Sequence, residues 1–356
     1  MSIQNTALNS IQANYNPGLD RDELRSLQFG FIDCAMKSNA SGNSIITSEV
    51  RNLLNQNWKS ADLQLPVMTR GTSFTVSDGR SCAFTDGDVD SAFVVPVYIT
   101  KTVGFHMLES ANSDNIISYQ NELALKLLKA EESLAGEVDT AIYNALNTNK
   151  SAVYGSPVVG AGLEYTLAGD ALQVGTGKRE DFFNEYPAIA SEDNFAGPYD
   201  VVGTPFLQAY INKFVNQGAG NDTNLSYQFM DYSFMYANTM PTTSGSRATG
   251  FVMPAGTIAL ESRLSFAEAN EQKSTKDGIE FGAMISRLMP GMQLGFKYQT
   301  SCGDHSPTGG TALSTIEGDV SVKENWTITA DFCVLLPYNS NGATLAGSIH
   351  KFDILA

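Results

Sequence analysis

Cys302, Gly303, Asp304 and His305 stand side by side, and by residue type they are the best candidates in this chain for covalent chemistry. A thiolate beside an imidazole is what a nucleophile and its base require. Members of such pairs normally meet through the fold, however, and Gly303 with Pro307 marks a turn, so the plain reading is a structural loop. The acidic run Asp86, Asp88, Asp90 mimics the start of a calcium loop. That loop wants Gly at its sixth position and Glu at its twelfth, where this chain has Ser91 and Val97. The stretch Val174 to Glu180 (VGTGKRE) has the Gly-Lys of a phosphate loop. It lacks the earlier Gly, where Leu172 stands, and the following Ser or Thr, where Arg179 stands. It reads as an exposed basic turn. With only His106, His305 and His350 as histidines, few other sites can be built. The expectation is a protein that is not an enzyme, with no catalytic, cofactor-binding or metal residue to assign and no cofactor.

The bulk numbers narrow the classes further. The 356 residues suit two lobes or one elongated body, and 42% hydrophobic content allows a real core. The formal net charge is -16, from 22 Lys+Arg against 38 Asp+Glu. So acidic a surface repels phosphate, which disfavours base-reading nucleic-acid binding and anionic membranes. It is compatible with a wall that encloses DNA without gripping it. No apolar run reaches the length of a membrane span, and the opening residues carry no basic-then-apolar export signal. Cys34, Cys82, Cys302 and Cys333 are scattered, without a CxxC, and read as reduced thiols.

The elements come next. Met1 to about Ser60 reads as a polar arm with one helix candidate, Thr47 to Trp58, capped by Thr47 or Ser48 and with Glu49 in its first turn. Leu63 to Leu108 reads as a long β-hairpin with an acidic tip around Asp78 to Asp90. Phe93, Val95, Val97 and Ile99 alternate with Val94, Pro96, Tyr98 and Thr100, and Pro96 argues for an edge. Then comes a helix over Asn115 to Asn147, begun at Asn112 or Ser113. Ile116, Tyr119, Leu123, Leu127, Ala130, Leu134, Val138, Ala141 and Ala145 step by three and four along one face. At about 1.5 Å per residue it runs about 50 Å, about three times the mean globular helix. Leu123, Leu127, Leu134 and Val138 are its expected packing residues.

After Lys150 short strands and loops take over. Tyr199 to Gln217 reads as strand, turn and helix, with Phe206, Tyr210 and Phe214 on one face, and Tyr232 to Ser262 as strand, loop, strand. Met292, Leu294, Phe296 and Tyr298 share a strand face, as do Trp326, Ile328, Ala330, Phe332 and Val334. The fold class is α+β. A helix of this length must lie across an extended body, and an isolated two-stranded ribbon is marginal in water. Unless the hairpin folds back on its own subunit, its apolar positions Phe74, Val76, Phe84, Phe93 and Val95 need a neighbour's surface, and arm, ribbon and long helix together suggest a subunit completed by its copies.

The order of arm, extended loop, long helix and mixed α/β resembles the major capsid protein of tailed bacteriophages, the Hong Kong 97-like fold. Three stretches carry it: MTRGTSFTVSDGR with VVPVYITKTVGFHMLES, NELALKLLKAEESLAGEVDTAIYNAL, and YDVVGTPFLQAYINKFV with YSFMYANTMPTTSGSRATGFVMPAGTIALE. The resemblance implies an N-terminal arm at 1–60, an extended loop at 61–112 and a spine helix with peripheral domain at 113–198. An axial domain follows at 199–290, then returning strands at 291–356. It implies pentamers and hexamers in an icosahedral shell around packaged double-stranded DNA. Such a protein is made in the host bacterial cytoplasm and resides in the virion capsid. The chain itself is its first partner, portal, scaffolding and decoration proteins are further ones, and no membrane is involved. A cellular nanocompartment shell of the same fold, or another virion structural protein, stays open as an alternative.

Overall fold

The computed structural model describes residues 28–40, 44–56, 65–68, 91–108, 119–217, 231–274, 278–304, 320–337 and 345–356. Its axis is helix α3, Tyr119–Thr148, 30 residues and about 45 Å long. The expected helix is thus present from Tyr119, while Asn112 to Ser118 lie outside the described residues. Leu123, Leu127, Leu134 and Val138 are each at most 2% exposed. Near the C-terminal end the buried stripe shifts by one residue: Ile142 and Leu146 are fully buried, where spacing points to Ala141 and Ala145. Ile142 and Leu146 continue the steps of four from Leu134 and Val138, and at each the larger side chain, rather than the alanine before it, fills the core.

Among the described residues two short helices precede α3. Helix α1, Gly30–Ala40, falls in the stretch read as a polar arm, yet Phe31, Ile32, Cys34 and Ala35 are completely buried in the main core. Its signal is weak because Gly30, Asp33, Lys37 and Ser38 dilute the apolar period. Gly30 is needed where it stands: a Cβ there would lie 2.5 Å from the Tyr236 carbonyl oxygen. Helix α2, Ser48–Gln56, matches its expectation, and the Thr47 hydroxyl accepts from the Val50 N–H at 3.4 Å.

Strands β1 (Leu65–Met68) and β2 (Ser91–Val94) pair antiparallel, Leu65 opposite Val94. Residues 95–97 are irregular, and β3 then runs over Tyr98–Leu108. The strand expected to pass unbroken through Val95 and Pro96 is therefore two strands. Proline lacks the N–H that a continuous ladder needs, and Pro96 is buried rather than at an exposed edge. The expected tip, Asp78 to Asp90, lies outside the described residues.

Strand β3 belongs to an antiparallel sheet with β11 (Ile279–Ile285), β12 (Gln293–Asp304) and β13 (Val320–Leu335), in the order β11-β12-β13-β3. Strand β10 (Lys273–Ser274) pairs with β11, and β9 (Ala259–Arg263) takes the place beside β13 where β12 ends. The faces read by alternation are formed. Met292 just before β12, Leu294 and Phe296 on it, and Trp326, Ile328, Ala330 and Phe332 on β13 are buried in the core shared with α3, with Tyr298 and Val334 partly buried beside them.

A second, mixed sheet has the order β4-β5-β14-β8-β6-β7. It comprises β4 (Thr166–Ala168), β5 (Ala171–Val174), β6 (Tyr199–Gly203), β7 (Tyr232–Tyr236), β8 (Ser246–Pro254) and β14 (His350–Leu355). One face, with Val202, Phe251 and Met253, joins the main core. The other, with Val201, Val252 and Phe352, joins an aromatic core around Phe182, Phe183 and Tyr186 of helix α4, Phe182–Glu192. Gly250 admits this packing, since a Cβ there would lie 2.5 Å from the Phe352 ring. Helix α5, Pro205–Gln217, follows β6 as expected. It buries Leu207 and Ile211 while Phe206 is 63% exposed, so its inward face is rotated from the one expected. Leu207 fits the space left by Gly203, which sets that rotation. Sheet membership changes between β8 and β9, inside the stretch 199–290.

Replacing Leu134 tests this packing. Leu134→Ala is expected to lose about 2–5 kcal/mol of stability, read by urea denaturation. Leu134→Asp, which places an unpaired carboxylate in the core, is expected to yield no cooperative unfolding transition at all.

Candidate assembly elements

None of the sequence motifs suggestive of chemistry forms a site among the described residues. Cys302, Gly303 and Asp304 are strand, not turn: they continue β12 opposite Val322, Ser321 and Val320. His305 and the acidic run Asp86 to Asp90 lie outside the described residues. The basic turn is structurally engaged: Lys178 bridges Glu164 at 2.6 Å and Glu185 at 3.1 Å, and Arg179 donates to the Leu355 carbonyl. No group of three or more His, Cys, Asp or Glu that could hold a metal occurs among the described residues. No helix among the described residues is long and apolar enough to cross a membrane.

The long helix instead carries two acids on its buried face, Glu131 and Asp139, eight residues and so about two turns apart. Both are completely buried. Asp139 Oδ1 accepts from the N–H groups of Phe31 at 2.9 Å and Ile32 at 3.0 Å, and Oδ2 accepts from the Thr239 hydroxyl. A carboxylate so placed satisfies first-turn donors of α1 and meets the positive end of that helix. Glu131 Oε1 accepts from the Ser286 hydroxyl, from the Arg287 N–H and from the Leu288 N–H at 2.8 Å, closing the bend between β11 and β12. The two acids thus tie three distant segments, 28–40, 237–240 and 286–289, to one helix. Sequence spacing could have flagged them, because both fall among Leu127, Leu134 and Val138 on the same stripe.

Burial raises the Asp139 carboxyl from 3.8 to about 6, against the lowering effect of the Thr239, Ile32 and Phe31 hydrogen bonds. His350, 1% exposed, moves the other way. Burial lowers it from 6.5 to about 4, opposed by the hydrogen bond to Gly347. Its Nε2 donates to the Gly347 carbonyl at 3.0 Å, so the neutral ring's Nδ1 accepts from the Tyr186 hydroxyl at 2.9 Å.

The remaining elements are edges. Among the described residues β3 ends the antiparallel sheet, and Thr102, Gly104 and His106 are exposed. Lys126 of α3 donates to the His106 carbonyl at 2.9 Å, so that carbonyl points away from β13. An open cleft of about 340 Å³ runs along this edge, with Val103 and Phe105 on the strand side and Leu125, Lys129, Ala130 and Ser133 on the helix side. The ribbon strands β1 and β2 pair only with each other among the described residues. Of the expected hairpin positions, Phe74, Val76 and Phe84 lie outside the described residues. Phe93 sits opposite Pro66 in the ribbon, and Val95 is 43% exposed just beyond it.

The pH dependence follows from the two shifted groups. Between about pH 4 and 6 the folded protein keeps a proton on Asp139 that the unfolded chain releases, so this stabilisation is present at low pH and lost as pH rises through 6. Between 6.5 and 4 the unfolded chain binds a proton that folded His350 refuses, so that stabilisation is lost as pH falls. Each effect is about 3 kcal/mol, and they oppose one another. Relative to wild type, Asp139→Asn is expected to gain about 3 kcal/mol on going from pH 4 to 6.5, and His350→Gln to lose a similar amount, in urea unfolding at the two pH values.

No family model and no curated protein matches the chain. Solved structures do. The chain is similar to a structure from Mycobacterium phage Che8, with 11% identity over 86% of this chain and 88% of that one and a TM-score of 0.48. It is similar to the capsid of cyanophage P-SCSP1u, with 11% identity over 83% of each chain and a TM-score of 0.40. It is also similar to the mature capsid of bacteriophage PhiM1, with 9% identity over 82% of this chain and 81% of that one and a TM-score of 0.39.

Proposed function

We propose that this chain is the major capsid protein of a tailed bacteriophage with a Hong Kong 97-like arrangement, a structural subunit rather than an enzyme. One observation carries the reading: among the described residues, a helix of about 45 Å lies on a sheet whose edge strand is fed by a ribbon belonging to neither larger sheet. A solitary globular protein has little use for an unattached ribbon, which gains stability only from a further strand or a packed face. A subunit completed by its copies does. The order of these elements matches the order of motifs that resembles the capsid family, and the acidic balance suits a wall that surrounds DNA without sequence-specific binding.

On this proposal copies form pentamers and hexamers of an icosahedral shell that encloses double-stranded DNA, with portal, scaffolding and decoration proteins as partners. The subunit is made in the host bacterial cytoplasm and ends in the virion. Residues 1–60 act as arm, 61–112 as extended loop, 113–198 as spine and peripheral domain, and 199–290 as axial domain, with 291–356 returning to complete both. Phe74, Val76, Phe84, Phe93 and Val95 contribute to contacts between subunits.

Electron microscopy of the purified protein, alone and co-expressed with its neighbouring phage genes, is the test. Closed shells containing DNA after infection are expected; shells loaded with a cellular enzyme would instead support a nanocompartment. Deleting residues 78–90 is expected to leave the far-ultraviolet circular dichroism of the subunit intact while shells disappear. Normal shells from that deletion would remove the hairpin from the assembly mechanism.

A further inference from the structure

We infer that α2 is a lever for the ribbon: α2 and the ribbon's base form one unit seated on the outer face of the antiparallel sheet, and the unit can leave that face while the α3 side stays closed. Alternation along two strands builds the seat. On β9 and β13, Leu260 and Phe332 join the main core with α3, while their neighbours Ala259, Cys333 and Leu335 belong to a separate small cluster. Successive side chains of a strand face opposite sides, so the small cluster lies across the sheet from α3. Leu54, fully buried, and Val50 bring α2 onto it. Leu65 opens β1 and Tyr98 opens β3, and both pack on the same cluster. Leu65 is paired with Val94, so the end of the ribbon that leads into β3 rests on the seat that α2 occupies.

Polar ties lock the seat. The Tyr98 hydroxyl donates to the Leu54 carbonyl at 2.9 Å, and this carbonyl lies in the last turn of α2, where helical geometry leaves it no partner within the helix. Arg263 of β9 stacks over the Tyr98 ring at 3.8 Å and pairs with Asp331 of β13 at 2.6 Å. Arg51 of α2 pairs with Glu261 of β9 at 2.6 Å. Glu261 is 5% exposed, so removing Arg51 leaves a buried carboxylate without its cation. Tyr98 is thus the joint: its hydroxyl holds α2, its ring lies against β9, and its backbone begins the strand that the ribbon feeds. Clusters with few buried apolar contacts open at lower free energy than a main core, and they open as units. On the capsid reading the ribbon makes contacts between subunits, and the seating of α2 sets the direction from which it does so. That last step rests on the capsid reading; the coupled unit does not.

Amide hydrogen exchange of dilute, full-length subunits tests the unit apart from assembly. Leu54→Ala is expected to speed exchange by about tenfold in α2 and by the same factor in β1 and β2, with α3 unchanged. Tyr98→Phe keeps the ring beneath Arg263 and removes only the tie to Leu54. It is expected to give a smaller rise in the same segments, and it replaces Leu54→Ala should that variant fail to fold. Loosening of α2 with β1 and β2 unchanged overturns the lever. So do α3 amides that rise in step, or β1 and β2 amides already unprotected in the wild type. Particle formation by Arg51→Gln tests the consequence. Loss of closed shells from a subunit whose α3 amides stay protected is expected. Normal shells overturn the control of the ribbon by α2 and leave the capsid reading standing. A wild-type chain that forms no particle overturns the capsid reading, and the exchange result alone then decides the unit.

Discussion

The structure depends on the burial of one face of α3, and that face is not purely apolar. Leu123, Leu127, Leu134, Val138, Ile142 and Leu146 supply the hydrophobic stripe, while Glu131 and Asp139 interrupt it with carboxylates that are fully enclosed. Burying a carboxylate is expensive unless several donors surround it. Here each is met by backbone N–H groups that would otherwise be orphans: the first turn of α1 at Asp139 and the Arg287–Leu288 bend at Glu131. The acids satisfy these donors, and Asp139 is satisfied through both its oxygens, whereas Glu131 concentrates its three hydrogen bonds on Oε1 and leaves Oε2 buried without one. Apolar residues at these two positions would leave the helix start and the bend with unsatisfied donors, so the polar pair fixes where three remote segments sit rather than simply adding stability.

This explains what the sequence reveals and what it hides. The long helix is legible because Leu and Ala recur at helical spacing for about eight turns. The strands β12 and β13 are legible because Leu294, Phe296, Trp326, Ile328 and Phe332 alternate with polar residues, as one-sided sheets require. Helix α1 is hidden. Its burial comes from tertiary contacts: Phe31 packs beside Tyr143 and Phe251, and the Asn39 side-chain amide donates to the Leu260 carbonyl at 2.6 Å. None of that is encoded in an eleven-residue window. The rotation of α5 is hidden for the same reason, since Gly203 decides that Leu207 rather than Phe206 turns inward. The break at Pro96 follows from a residue that spacing alone assigned to a strand.

The candidate assembly surface was legible only as a class. An excess of apolar residues before the long helix, with no partner strand in sight, pointed to a surface completed elsewhere. Which surface could be completed was not legible. Among the described residues β3 is an edge because β13 alone pairs with it, and that pairing joins Tyr98–Leu108 to Lys323–Cys333 across more than two hundred residues. No local pattern reports it.

Both sheets take an interior strand from the end of the chain. Strand β13 lies between β12 and β3, and β14 lies between β5 and β8, pairing Phe352 with Leu172 on one side and Gly250 on the other. Until the last residues are in place, the mixed sheet is split into β4-β5 and β8-β6-β7, and β3 has no ladder at all. Contacts of such sequence separation form late because loop closure must precede them. The edge of β3 gains a fixed direction only after β13 has paired with it, and β13 is held in turn by β12 and β9. A chain that is only partly folded therefore lacks a fixed β3 edge, and that edge arrives together with the completed core.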